Sequence, residues 1–195
     1  MTDSVPVRAG KRERLADAAA RVFHEQGVEK TTIADIARVA EVPVGNVYYY
    51  FKTKDQLVQA AIGAHARTLR EVLGDLERQG TPGDRLRALV RGWVAQRETA
   101  ALFGCPSGTL ATELDKRADG LDAELAAVMR ELLAWIEAQF VAMGRADAAE
   151  LAVALLAAYQ GISLLTNTFR DPAMMAAEGR RLEEWISSLE GATAV

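Results

Sequence analysis

A single cysteine, Cys105, in 195 residues leaves this chain without an internal disulfide framework and sets the expectation of a reducing cytoplasm. Two histidines, His24 and His65, stand far from it in sequence, so no ligand cluster for a transition metal is expected, and no cofactor. No apolar run approaches the roughly 20 uninterrupted residues of a membrane-spanning helix, so no membrane partner is expected. The first residues, MTDSVPVRAGKRER, lack the apolar region and small-residue cleavage site of a signal peptide. There is no Ser-His-Asp arrangement and no glycine-rich phosphate loop, which argues against an enzyme. Strand-like alternation, internal repeats and low-complexity tracts are missing as well, which leaves an all-α chain.

Positive charge is scarce overall but unevenly spread. The net charge is −4, yet residues 1–56 hold nine Lys/Arg against eight Asp/Glu, so the deficit lies downstream. Arg8, Lys11, Arg12 and Arg14 form a basic arm, and Lys52 and Lys54 follow three consecutive tyrosines. A small basic footprint on an acidic body suits a local contact with DNA better than a coat around it.

Helical periodicity begins near Lys11. Leu15, Ala18, Ala19, Val22 and Phe23 make one apolar stripe, and Gly27 supplies a stop. Thr32 with Asp35 reads as a capping box that opens a second helix, buried through Ile33, Ile36, Ala37 and Ala40. After the turn Glu41-Val42-Pro43 a short third helix runs to about Tyr50, with Pro43 tolerated only in its first turn. Val47 and Phe51 pack it inward, which leaves Val44, Gly45, Tyr48 and Tyr49 outside. Tyr50 turns towards the core or the flank. Thr53 with Gln56 opens a long fourth helix that ends near Gly80. Further helices are expected at about 82–103, 106–117, 121–143, 147–169 and 172–190, about nine in all.

Two short helices joined by a tight turn are the helix-turn-helix unit, whose second helix enters the major groove. Gly45 lets backbone approach the duplex. The hydroxyls of Tyr48 and Tyr49 suit phosphate oxygens, and Lys54 adds charge to a positive helix end. The run PVGNVYYYFKTKDQL, preceded by TTIADIARVAEV and KRERLADAAARVFHEQG, resembles the DNA-binding domain of the TetR family of bacterial transcriptional regulators, over about residues 11–60. The resemblance implies an N-terminal three-helix DNA-binding domain followed by a helical ligand-binding and dimerisation domain. It divides the chain into a basic arm at 1–10, a head at 11–57 and a body at 58–195.

The function implied is that of a homodimeric repressor on a palindromic double-stranded operator, released by a small-molecule inducer. Carried over residue by residue, Thr31 and Thr32 would touch phosphates, Val44 and Gly45 would meet base edges, and Tyr48, Tyr49 and Lys54 would hold the backbone. Val44 departs from the polar residue common at its position, so a polar base contact is missing there.

In the body, Trp93, Phe103, Cys105, Met129, Tyr159, Gln160 and Asn167 are the candidates to line an inducer site, which would be apolar with a few placed polar groups. Cys105 at a helix start reads either as a small buried residue or as a sensor thiol for oxidants and electrophiles. The last two helices carry the stripes Leu155, Leu156, Tyr159, Ser163 and Leu182, Trp185, Ile186, Leu189, together with more apolar surface than one chain readily hides. These stripes are the expected isologous dimer interface. Competing classes are an all-α enzyme, for which no general base can be placed, and a protein-interaction module, for which the Gly45-Tyr48-Tyr49-Lys54 group has no purpose.

Overall fold

The computed structural model describes residues 10–117 and 120–190, and no strand occurs among them. The chain divides into two compact units, Met1–His65 and Ala66–Val195. The Arg8 end of the expected basic arm lies outside the described residues.

In the first unit, α1 (Lys11–Gln26) buries Leu15, Ala18, Ala19, Val22 and Phe23. Gly27, at φ 82°, ends it, and its N–H donates to the Phe23 carbonyl at 2.8 Å. The left-handed φ explains the glycine there. α2 (Ile33–Val39) opens on the full Thr32/Asp35 capping box. The turn that follows places Glu41 at φ 53°, and the Val42 N–H donates to the Ala37 carbonyl at 2.9 Å. α3 (Val44–Tyr50) then starts with Pro43 as its N-cap. Phe51 caps its end, 2 % exposed, with the Arg12 guanidinium 5.3 Å above its ring. At the start of α4 (Lys54–Leu76) the Thr53 hydroxyl accepts from the Gln56 N–H, while the Gln56 side chain accepts from the Lys52 N–H. Leu15, Ile36, Val47, Phe51 and Leu57 are all buried and form the centre of this unit.

The second unit holds the rest of α4 and six more helices: α5 (Pro82–Ala95), α6 (Arg97–Phe103), α7 (Pro106–Leu114), α8 (Leu121–Ala142), α9 (Ala148–Phe169) and α10 (Pro172–Glu190). All nine expected helices are present, the one at 82–103 divided in two. Gln96 ends α5 by donating its N–H to Trp93 and starts α6 by accepting from Ala100. Neither glycine nor proline marks that break.

The core of this unit joins Leu73 and Leu76 to Leu86, Leu89 and Val90, Ile136 and Phe140, Ala152 and Leu155, and Leu182 and Ile186. The first two turns of α5 are fastened to the last of α10. Arg87 donates to Glu190 at 2.7 Å and to Asp84 at 2.7 Å, and a Cβ on Gly83 would overlap the Glu190 carboxylate.

The expected dimer stripe needs correction. Leu155, Leu182 and Ile186 lie within the core of their own chain, and Leu156, Trp185 and Leu189 pack against it. Ser163 is buried, and Tyr159 stacks on Trp93 with ring centroids 4.1 Å apart. Periodicity identifies an apolar face, of which the folded chain buries Leu155, Ser163, Leu182 and Ile186 and leaves Leu156, Tyr159, Trp185 and Leu189 partly exposed. The face of α9 left outside carries Val153, Ala157, Gly161, Leu164 and Leu165. α9 is also the described helix whose length and mean hydropathy of 1.6 would suit a membrane span, with 22 % of the window buried. Its inward face, Ala152 and Leu155, belongs to the core above.

Candidate nucleic-acid interface

The head is built by two devices. The capping box fixes where α2 begins, and the left-handed Glu41 turn, closed by Val42 on Ala37, fixes where α3 leaves it. Burial of Val47 and Phe51 sets the rotation of α3. The side left outside carries Val44 at 44 %, Tyr48 at 48 % and Tyr49 at 78 % exposure, with Gly45 and Asn46 also exposed. Tyr50 is half-buried, its ring edge-on to Tyr49 at 5.0 Å.

Gly45 lies on the exposed side of α3. A Cβ on this residue, in the first turn of α3, would meet no atom within 4 Å, so the backbone beside it lies open to the outside.

Not every expected contact faces out. Thr31 is a correction: it is 2 % exposed, and its hydroxyl donates to the Gly27 carbonyl at 2.7 Å, so it fastens the end of α1. Thr32 is exposed, but its hydroxyl donates to the Asp35 carboxylate at 2.6 Å and accepts from the Asp35 N–H. The hydroxyl bond first, and then the Thr32 N–H donating to the same carboxylate at 3.0 Å, hold the Asp35 carboxyl below its ordinary pKa, so the group at this corner is an anion committed to the cap. Lys54 donates one Nζ hydrogen to the Glu29 carbonyl at 3.0 Å; an ammonium has three, so two remain for a phosphate. Lys52 Nζ donates to the Tyr48 carbonyl at 2.5 Å. Of the expected basic arm, Lys11, Arg12 and Arg14 lie in the first turn of α1, where Arg12 covers Phe51 and Arg14 faces Glu41 at 3.9 Å. Asn46, absent from the expected set, makes no side-chain hydrogen bond among the described residues; only its position within PVGNVYYYF marked it.

The candidate ligand residues gather in part. Trp93 and Tyr159 line a small cavity of about 10 Å³ with Val90, Val94, Ile162 and Met175. Cys105 is the N-cap of α7: its buried sulfur accepts from the Gly108 N–H at 3.4 Å and from Gln160 Nε2 at 3.6 Å. Burial, and then the neighbouring Cys105, push the Tyr159 hydroxyl well above its ordinary pKa, so it stays neutral. Asn167 and Arg170 donate to the Ala101 carbonyl at 3.1 and 2.8 Å, which ties α9 to the end of α6. Met129 and Phe103, both half-buried, do not line the cavity. On α9, the hydroxyls of Ser163 and Thr166 are buried with no hydrogen-bond partner among the described residues. An apolar helix containing two such groups was visible in the sequence, but their lack of partners was not.

A family profile described as "Bacterial regulatory proteins, tetR family" matches residues 15–61. A second, "Transcriptional regulator LmrA/YxaF-like, C-terminal domain", matches residues 82–180. The chain is 31 % identical over 168 residues to the HTH-type transcriptional repressor DhaR of Mycobacterium sp. (strain GP1), covering 80 % of this chain and 82 % of that one. It is 38 % identical over 87 residues to the HTH-type transcriptional regulator BetI of Rhizobium meliloti (strain 1021), a match spanning 44 % of this chain and only 41 % of that protein. Among solved structures, a TetR transcriptional regulator from Chloroflexus aurantiacus J-10-FL superposes with a TM-score of 0.78 at 27 % identity, covering 91 % of this chain and 94 % of that one.

Proposed function

The chain belongs to the tetR family of bacterial regulatory proteins, a family of transcriptional regulators and not of enzymes, and from that premise we propose that it is a DNA-binding repressor. It acts as a homodimer on a palindromic operator in the cytoplasm and is released by a small molecule. The observation that carries the reading is the outward face of α3. There Val44, Gly45, Tyr48 and Tyr49 are exposed, and the space beside the glycine is open. Tyr48 and Tyr49 reach phosphates, Lys54 holds the backbone with its free donors, and Gly45 admits the helix to the groove.

The inducer reading rests on the second unit. The cavity beside Trp93 and Tyr159 has no charged lining and room for about one water, so an inducer enters by moving helices apart. The unsatisfied hydroxyls of Ser163 and Thr166 favour an uncharged ligand that brings hydrogen-bonding groups to α9. Cys105 enters this reading as the buried cap of α7 and not as a sensor thiol. The second copy covers the outward face of α9.

A gel-shift assay on the DNA upstream of the protein's own gene tests the central claim. Wild type should form a discrete, salt-sensitive complex, and Tyr48→Ala should weaken it at least several-fold with the fold intact. Indifference of wild type to that DNA and to selected duplexes alike would remove the repressor reading.

A further inference from the structure

We propose that Asn46 reads a base directly, and that the base is adenine. The inference rests on the DNA-binding reading above and adds to it the one polar base contact that the apolar Val44 leaves missing.

The residues that a helix presents to base edges are those of its first turns. In α3 the first turn is Val44, Gly45 and Asn46. Val44 has no hydrogen-bonding atom and Gly45 has no side chain, so of these three Asn46 alone can read a base edge by hydrogen bonds; Val44 is left with apolar contact to a thymine methyl. The polar side chains around it each hold a bond within the chain, and Lys54 keeps its two remaining donors for a phosphate. Thr31 is bonded to Gly27, Thr32 to Asp35, Lys52 to Tyr48 and Lys54 to Glu29, and Arg38 lies 3.5 Å from Asp35. Asn46 is exposed and carries both a donor and an acceptor, neither engaged by another side chain or by backbone among the described residues. Asparagine is also short. It reaches a base edge only if the backbone beside it comes close to the groove floor, and the open space at Gly45 permits that approach. Tyr49, three residues on along the same exposed face, is long enough to reach the groove wall while Asn46 faces the floor.

The side-chain amide then selects the base. In the major groove adenine offers the N7 acceptor beside the N6 donor, and the asparagine amide matches both at once by donating to N7 and accepting from N6. Guanine, with two acceptors, and cytosine and thymine satisfy only one half of the amide. Discrimination between about fivefold and about a hundredfold follows for a pair of this kind.

The test is selection from randomised duplexes with the full-length protein, followed by titration of the selected site with each base substituted in turn, for wild type and for Asn46→Ala. Asn46 is exposed, and alanine suits a helix, so the variant folds. Wild type should demand adenine at one position of each half-site. Asn46→Ala should lose that preference alone, with the other positions and the dependence of affinity on salt unchanged. An unaltered preference in the variant would overturn the proposal. So would a uniform weakening over all sequences with a shallower salt dependence, because that marks a phosphate contact. If wild type selects no sequence at all, the operator reading fails and this proposal with it.

Discussion

Asp84 carries an unusual share of work for an exposed carboxylate. One oxygen accepts from the N–H and hydroxyl of Thr81, closing a capping box at the start of α5, and the other accepts from Arg87. The backbone bond from Thr81 comes first, then Arg87; together they hold the carboxyl well below the usual Asp range. A carboxyl that binds its proton more weakly folded than unfolded contributes stability above its unfolded pKa, and loses it as pH falls through the folded one. Asp84→Asn should therefore lower the melting temperature at pH 7. The gap from wild type should narrow as pH falls below about 4, which thermal melts across pH will check. In the sequence the Thr-Pro-Gly run reads only as a break after α4, and the Thr/Asp spacing that starts α5 went unread although it matches the Thr32/Asp35 box. At Thr31 a reading that was made failed. Two adjacent threonines before a helix look alike in sequence, and only packing decides that one faces Gly27 while the other caps α2.

At the scale of elements, α9 separates what a pattern can and cannot convey. Its apolar character and its length were legible, and so was the presence of polar residues within it. Which side faces its own chain was not, because apolar residues run nearly all the way round and the stripe through Leu155 and Ser163 is as good a helical face as any other. The folded chain takes that stripe, leaving Leu164 65 % and Val153 55 % exposed, with Ala157 and Gly161 between them small enough for another helix to come close. Leu164→Glu should leave helix content unchanged by circular dichroism and convert a dimer to a monomer in light scattering. A variant that remains dimeric would move the interface elsewhere. The break at Gln96 was illegible for a different reason: it is made by backbone geometry alone, with no residue type to announce it.

At the scale of the whole molecule, an acidic protein that binds DNA must do so with few cations, and each should be visible in the salt dependence. Binding releases about 0.9 counterions for each phosphate neutralised. If two heads engage one operator and Lys54 holds one phosphate in each, Lys54→Ala should make the log–log slope of affinity against salt shallower by about 1.8; one engaged head would give about half that.

A different consequence follows from the place where α10 meets α5. Through Arg87 and Glu190 the chain between them becomes a closed circuit whose clasp is side chain, with no covalent bond. The space that any side chain at position 83 would need is the space in which the Glu190 carboxylate rests. Peeling back the last turn of α10 therefore also unlatches the first two turns of α5. The two ends of this stretch, more than a hundred residues apart in sequence, open and close as one local event.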